Sequence, residues 1–140
     1  MDEQVKIWQR VKGETSSPTD GLPGLTANAL AHAALYGTLA RQTQGPGRTI
    51  LLALQEDEQL CARYLKGIWR MVTGKRMQTT AVPLSAESTE AALRKCYGQT
   101  LKNLAIFESR AFHPEYGPVF GMLATKSREH CSALAELLGF

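Results

Sequence analysis

The sequence has no apolar run that approaches the roughly 20 residues needed to cross a bilayer. Residues 1–4 (MDEQ) carry acidic side chains where a secretory signal peptide has basic residues followed by an apolar stretch. The sequence also has no glycine-rich phosphate loop, no Cys-x-x-Cys pair, no nucleophile elbow and no His-Glu-x-x-His motif. We therefore expect a cytoplasmic protein with no membrane span and no catalytic site built on one of these motifs.

The sequence has few cysteines and a small net charge. The three cysteines, Cys61, Cys96 and Cys131, are odd in number and stand far apart, which favours buried thiols over a disulfide framework or a zinc motif. The 16 basic and 13 acidic residues leave a net charge of only +3. The basic residues are scattered, with Lys75 and Arg76 as the densest spot, whereas nucleic-acid-binding proteins normally show a basic stripe. We expect no nucleic-acid partner.

The length of 140 residues is enough for one domain with a sizeable core. Residues 2–12 predict a short amphipathic helix with Trp8 on its apolar face. Residues 13–24 are rich in Ser, Thr, Pro, Asp and Gly and predict a loop. The expected organisation is this N-terminal helix and loop at residues 1–24, followed by a single helical domain at residues 25–140.

Four longer segments have apolar residues at spacings of three and four, which is typical of helices with one buried face. The predicted helices cover about residues 25–43, 48–73, 85–111 and 114–138. Ser85 is the expected N-cap of the third helix and Pro114 the expected first residue of the fourth. The predicted buried face of the second helix consists of Leu51, Leu54, Glu58, Cys61, Leu65, Ile68 and Val72.

The connections between these helices differ in length. The turns at residues 45–47 and 113–114 are short, so each joins two antiparallel neighbours. Residues 75–84 contain Pro83 and have no helical periodicity. Ten extended residues reach about 35 Å, which is roughly the length of a 25-residue helix. Two hairpins joined by one long crossover predict an all-α, ferritin-like four-helix bundle.

Polar residues interrupt the predicted buried faces near their centres. They are Glu58 and Cys61 on the second helix, Thr100 on the third, Ser127 and His130 on the fourth, and His32, beside Ala29, on the first. Glu58 demands an explanation, because a carboxylate on a core face is costly unless it is paired, protonated or bound to a cation.

Several stretches resemble rubrerythrin-related ferritin-like proteins. Residues 54–62 (LQEDEQLCA) are similar to the second helix of that family, which carries Glu-x-x-His followed by a small residue. Residues 65–74 (LKGIWRMVTG) look like the continuation of that helix in small bacterial members, and residues 114–130 and 33–40 resemble the fourth and first helices. The resemblance covers about residues 25–138 and implies a site for two irons, with Glu from two helices and Glu-x-x-His from the others.

This chain departs from that ligand pattern at most positions. Ala29 stands where the first helix would supply Glu, and Thr100 (or Gln99, one register position away) stands where the third would. Cys61 replaces the His of the second helix, and Ser127 replaces the Glu of the fourth. Two of the six ligands remain, Glu58 and His130. One carboxylate cannot both neutralise and bridge two irons, so we expect no normal di-iron centre.

Two interpretations of these residues remain open. In the first, Glu58 is a structural acid that hydrogen-bonds to His130, Thr100 or Tyr97. In the second, His32, Glu58 and His130 hold a single Zn²⁺ or Fe²⁺, with Cys61 as a further soft ligand, provided that the first and fourth helices run parallel.

The function expected from this pattern is that of a non-enzymatic ferritin-like protein with a degenerate di-iron site, which binds a partner or itself. No cofactor is expected. A homodimer is the expected assembly, with Trp8, Trp69 and Phe112 as contact residues. The alternative is a metal-binding redox protein that uses iron or zinc at a reduced site around Glu58 and His130.

Overall fold

The computed structural model describes residues 17–140, and within them the chain forms four helices and no strand. The helices are α1 (Leu22–Arg41), α2 (Pro46–Thr73), α3 (Thr89–Arg110) and α4 (Gly117–Leu138). For residues 17–140, the prediction of an all-α fold with four long helices is confirmed. The predicted N-terminal helix at residues 2–12, with Trp8, lies outside the described residues. Among the helices of residues 17–140, none is long and apolar enough to cross a membrane.

Glycine and proline set the ends of α2. Gly45 adopts a positive φ of 70° just before the helix, and Pro46 follows as its first residue. Proline is favoured there because it lacks an amide hydrogen that the first turn could not use. At the other end, Gly74 adopts the left-handed conformation, with a φ of 73°, and its amide donates to the carbonyl of Arg70 at 2.8 Å. A side chain at Gly74 would strain this cap.

The structure corrects the predicted start of α3. The helix begins at Thr89, and Ser88 caps it by accepting a hydrogen bond from the amide of Ala91 at 3.1 Å. Ser85, the predicted cap, instead lies in the connection, where its carbonyl accepts from Lys95 Nζ at 2.7 Å. A glutamate follows each serine two residues later, so the sequence pattern alone did not show which serine caps the helix. The non-helical connection therefore extends over residues 74–88 and is longer than predicted.

The start of α4 is also later than predicted. The helix begins at Gly117, with Pro118 in its first turn, rather than at Pro114. The intervening turn is held by His113, whose Nδ1 accepts hydrogen bonds from the amides of Glu115 at 3.1 Å and Tyr116 at 3.0 Å. Because His113 already accepts hydrogen bonds from these two amides, residues 114–116 form a turn and the helix begins only after them.

The apolar core consists of two clusters, one towards each end of the bundle. The first joins the beginnings of α1 and α4 to the ends of α2 and α3. The second joins the ends of α1 and α4 to the beginnings of α2 and α3. It follows that α1 and α4 run in one direction and α2 and α3 in the other. The largest fully buried side chains of the first cluster are Leu22, Leu65, Ile68 and Phe120, and those of the second are Tyr36, Cys96 and Leu134.

Helix contacts follow the two hairpins. The closest packing is of α1 with α2 and of α3 with α4, while α2 with α4 and α1 with α3 approach over shorter stretches. Nowhere in residues 17–140 does a Cα atom of α2 come within 8 Å of one of α3. Residues 74–88 therefore connect two helices that lie diagonally across the bundle, from one end to the other. Met77 is buried in the first cluster, and Thr79 donates to the carbonyl of Pro23 at 3.1 Å.

Most of the predicted buried face of α2 is correct, with two exceptions. Val72 is exposed, because it lies in the last turn of α2, beyond the end of the first apolar cluster. Cys61 is half-buried, and Ala62 takes the fully buried position beside it. Between the two apolar clusters lies a layer of buried polar side chains from all four helices: His32, Glu58, Thr100, Ser127 and His130.

Candidate functional site

The polar layer is centred on His130 of α4, whose imidazole lies between two carboxylates of α2. Its Nδ1 is 3.1 Å from Oε1 of Glu58, and its Nε2 is 3.0 Å from Oδ2 of Asp57. The His130 and Glu58 side chains are 5% and 11% exposed, while that of Asp57 is 25% exposed. The three residues therefore form one ion-paired group that runs from the bundle interior to the seam between α2 and α4.

Helical geometry explains why α2 can offer both carboxylates. Consecutive residues project about 100° apart around a helix, since one turn takes 3.6 residues. Glu58 therefore points into the core, in register with Leu54 and Leu65, while Asp57 points along the edge of α2 that faces α4. A histidine on α4 that reaches this seam meets one carboxylate on each side.

Only one protonation state of His130 can donate a hydrogen bond to each of the two carboxylates. A carboxylate only accepts hydrogen bonds, so both ring nitrogens must carry a hydrogen to make the two bonds. This is the imidazolium form. Burial by itself lowers the pKa of His130, but its hydrogen bonds and charge interactions with Glu58 and Asp57 outweigh burial and raise that pKa above its usual value. The buried cation and the carboxylates thus stabilise one another.

The ion-paired group continues to the surface of α4. Lys126 Nζ is 3.6 Å from Oδ1 of Asp57 and 3.7 Å from Oε2 of Glu129. Lys126 and Glu129 are well exposed, so these outer contacts contribute little to stability. Asp57 was not among the site residues predicted from the sequence, and it pairs across the bundle with α4 rather than along α2. Its position one residue before the buried Glu58 is the signal that could have found it.

His32 of α1 lies in the same layer and is 3% exposed. Burial lowers the pKa of His32, and the charge of His130 lowers it further, while Glu58 acts in the opposite direction. His32 is therefore the neutral histidine of the layer and His130 the charged one. The His32 ring also packs edge-on against Tyr36, with 6.0 Å between ring centroids. The structure thus brings His32, Glu58 and His130 into one buried layer, although His32 does not line the small cavity that Glu58 and His130 share.

Cys61, the fourth predicted site residue, lines a small cavity in this layer. Burial, together with the charge of Glu58, raises the pKa of the Cys61 thiol, so it stays protonated near neutral pH. A protonated thiol is a poor metal ligand, because the thiolate is the form that binds metals. The cavity measures about 10 Å³, which is close to the minimum for one water molecule. Its polar lining comes from Asp57, Glu58, Cys61, Thr100, Asn103, Lys126, Ser127 and His130.

The donor set of this layer does not fit a di-iron centre. Ala29, at the position where the sequence resemblance predicts a Glu ligand, is buried and has no ligand atom. The hydroxyl of Ser127 is already used, since it donates to the carbonyl of Leu123 at 2.9 Å. Both nitrogens of His130 face carboxylates rather than an open position. Within residues 17–140, no three His, Cys, Asp or Glu side chains converge in a way that could hold a metal ion.

Comparison of the chain with protein-family models, with curated proteins and with solved structures gives no match.

Proposed function

We propose that this protein is a ferritin-like bundle in which an internal ion pair replaces the metal centre, and that it works as a non-enzymatic scaffold that binds a partner or itself. The observation that carries the proposal is the pair of hydrogen bonds from His130 to Glu58 and Asp57. They engage both ring nitrogens, so His130 has no lone pair free for a metal in this arrangement.

The ion pair neutralises the buried carboxylate of Glu58, as a bound metal ion would. A buried carboxylate needs a cation close by, because the cost of removing it from water is several kcal/mol. In metal-binding bundles the cation is the metal itself. In this chain the imidazolium of His130 supplies the positive charge and also links α4 to α2. The second carboxylate of the group, that of Asp57, also lies 3.6 Å from Lys126 Nζ, so two cations face two carboxylates. The remaining positions of the layer, His32, Thr100 and Ser127, are neutral.

Two features support the ferritin-like connectivity. The helices α2 and α3 are diagonal to each other, and residues 74–88 join them from one end of the bundle to the other. A bundle with short loops throughout would place consecutive helices side by side. The parallel direction of α1 and α4 follows from the same connection.

The size of the internal space supports a role at the surface. A cavity of about 10 Å³ is far smaller than the roughly 300 Å³ of an ordinary small-molecule site. The larger concave surfaces lie on the outside of the bundle. For self-association, the predicted contact residue Phe112 is 85% exposed, whereas Trp69 is half-buried against the first core cluster and offers less surface. Trp8, the third predicted contact residue, lies outside the described residues.

Binding of a single Zn²⁺ or Fe²⁺ is the second candidate function. Glu58, Cys61 and His130 border the same small space, but in the arrangement of residues 17–140 they do not converge as a set of metal ligands. A metal would have to displace the proton from at least one nitrogen of His130 and break the corresponding hydrogen bond. Metal binding should therefore weaken as pH falls, because the proton and the metal compete for that nitrogen.

Metal content and metal-dependent stability separate the two candidates. The protein is purified without chelators, analysed for iron and zinc, and unfolded by heat with and without added Zn²⁺ or Fe²⁺. A ligand at a hundredfold excess over its Kd stabilises the native state by about 2.7 kcal/mol. We expect no stoichiometric metal and no shift in Tm. A shift of several degrees that is abolished by both Glu58→Gln and His130→Ala would overturn the proposal in favour of the second candidate.

A further inference from the structure

The second half of α2 has an unusual charge distribution. Between Glu58 and Glu87 the chain contains no acidic residue, while it contains five basic ones: Arg63, Lys66, Arg70, Lys75 and Arg76. None of these five forms an ion pair with a carboxylate of residues 17–140. The end of the bundle that holds the first apolar cluster therefore presents a positive surface along α2.

Two concave surfaces meet on this part of α2. The first, which we name the apolar groove, has a volume of about 470 Å³ and is lined by Leu60, Arg63, Tyr64, Gly67, Ile68, Met71 and Val119. The second, the basic pocket, has a volume of about 500 Å³ and is lined by Lys66, Gly67, Arg70, Arg76 and Met77. Gly67 belongs to both, so an apolar surface passes directly into a positive one.

The apolar groove is open to solvent. Met71 is 66% exposed and Tyr64 is 38% exposed, although both are large apolar side chains. Single exposed apolar residues are ordinary, but apolar residues grouped in a concave surface with a charged rim are typical of a binding site. Gly67 deepens the groove, since a side-chain carbon at that position would meet no other atom within 4 Å.

The shape of the groove matches a helix. Leu60, Tyr64, Ile68 and Met71 follow one another along α2, and eleven residues of helix rise about 16 Å. Val119 of α4 stands on the other side, and residues 117–125 of α4 carry no charge. A partner helix of about three turns could place apolar residues at i, i+4, i+7 and i+11 in such a groove.

From these features we infer that the apolar groove and basic pocket of α2 bind an amphipathic helix of a partner protein, whose apolar face is flanked by acidic side chains. The inference rests on the proposed scaffold function and names the kind of partner. Charge complementarity argues for an acidic partner and against a symmetric pairing of two copies, since that would bring the basic residues of two α2 helices together. A concave groove also favours inserted side chains over the broad surface of a bilayer.

Substitution of Gly67 offers a test in which folding is not at risk. Gly67 lies inside α2, six residues before its end at Thr73, and leucine is a better helix former than glycine there by up to about 1 kcal/mol. Gly67→Leu should therefore keep or raise stability while it fills the groove. Gly98→Leu on α3 is the matched control, because Gly98 is also helical and a side-chain carbon there also meets no atom within 4 Å.

The probe is a synthetic peptide of about 16 residues, or roughly 24 Å of helix, with Leu at i, i+4, i+7 and i+11 and Glu on both flanks. A second peptide with Lys in place of each Glu is the control. Binding to the full chain is measured by fluorescence anisotropy at two salt concentrations.

We expect the acidic peptide to bind and the basic one to fail. Gly67→Leu and Arg70→Glu should each weaken binding by about tenfold or more, which corresponds to about 1.4 kcal/mol. Gly98→Leu and Lys102→Glu should leave binding unchanged, and added salt should weaken it.

The other occupants of the groove give distinct results, each of which overturns the inference. If residues 1–16 fill the groove, the peptide binds only after Trp8→Ala. If a second copy fills it, sedimentation shows a dimer that Gly67→Leu converts to monomer. If a membrane fills it, vesicles of 4:1 phosphatidylcholine and phosphatidylglycerol bind in a Gly67-dependent way and the peptide does not. A second copy or a membrane in the groove, or failure of every probe, overturns the inference and leaves the scaffold function standing, since metal content and metal-dependent stability test that function separately.

Discussion

The Nδ1 atom of His130 lies 3.1 Å from Oε1 of Glu58, and this contact joins the two hairpins of the bundle through its interior. Glu58 belongs to the α1–α2 hairpin and His130 to the α3–α4 hairpin. The other polar links between the hairpins, such as those of Lys126 with Asp57 and Arg110 with the carbonyl of Asp20, lie nearer the surface or the bundle end. The buried pair is therefore the main polar contact that fixes the register of α2 against α4.

A double-mutant cycle with Glu58→Gln, His130→Gln and the double variant measures the strength of this contact. Loss of one partner leaves the other buried and under-compensated, so each single change should cost about 1–3 kcal/mol of unfolding free energy. The double variant should cost less than the sum of the two, with a coupling energy of about 1–3 kcal/mol. Urea unfolding at pH 6.5 measures these values.

A surface pair provides the matched control for that cycle. Arg94 Nη2 and Glu90 Oε1 are 3.0 Å apart, but their side chains are 56% and 65% exposed. Because water and salt screen such a pair, its coupling energy should be about 0.5 kcal/mol or less. A coupling energy for the buried Glu58–His130 pair that is no larger than that of the surface pair would contradict the account.

The two buried histidines predict opposite limbs of a pH–stability profile. The raised pKa of His130 means that its stabilisation is complete below the unfolded value of about 6.5 and is lost as pH rises through the folded value. The lowered pKa of His32 means that stability falls as pH drops below about 6.5, since only the unfolded chain then takes up that proton. Each limb should have a slope of up to about 1.4 kcal/mol per pH unit.

Single substitutions should remove these limbs one at a time. We expect His130→Gln to flatten the profile above pH 6.5, and His32→Asn to flatten it on the acidic side, each relative to the original chain. Chemical denaturation at pH values between 5 and 9 measures the profile. Retention of the alkaline limb in His130→Gln would show that another group causes it.

Thiol reactivity tests the packing of Cys96 and Cys131. Burial raises the pKa of Cys96 to about 11, and Cys96 has no exposed surface. Its modification by a thiol reagent at pH 8 should therefore require near-global opening of the bundle. Cys131, which is half-buried, should react earlier, after local opening. Mass spectrometry of timed samples gives the order, and early modification of Cys96 would contradict the described packing of the second cluster.

The sequence contained enough information for the helices and for most of the polar layer. The spacing of Leu25, Ala29, His32, Tyr36 and Leu39 predicts one face of α1, and all five are buried. Helix starts were less predictable, because they depend on which local side chain satisfies the first amides. Ser88 rather than Ser85 does so for α3, and a turn held by His113 delays the start of α4 by three residues. The periodicity of apolar residues does not show which side chain satisfies the first amides of a helix.

The partner of Glu58 was predicted only as one of several alternatives. His130, Thr100 and Tyr97 were all acceptable donors, since helix spacing places them at similar heights. The choice among them depends on the rotation of α4 about its own axis, which packing sets. The role of Asp57 was missed for the same reason, because its side chain lies at the edge of α2 and only the position of α4 decides whether it meets water or His130.

The central claim is that His130 is an imidazolium held between two carboxylates, and ¹⁵N NMR of the histidine rings tests it most directly. The account predicts that both ring nitrogens of His130 are protonated at pH 7, that the signals persist when Zn²⁺ is added, and that Glu58→Gln lowers the pH at which the ring loses its proton. A His130 ring with one unprotonated nitrogen at pH 7, or a large shift of that nitrogen on addition of Zn²⁺, would contradict the claim and assign the layer to metal binding.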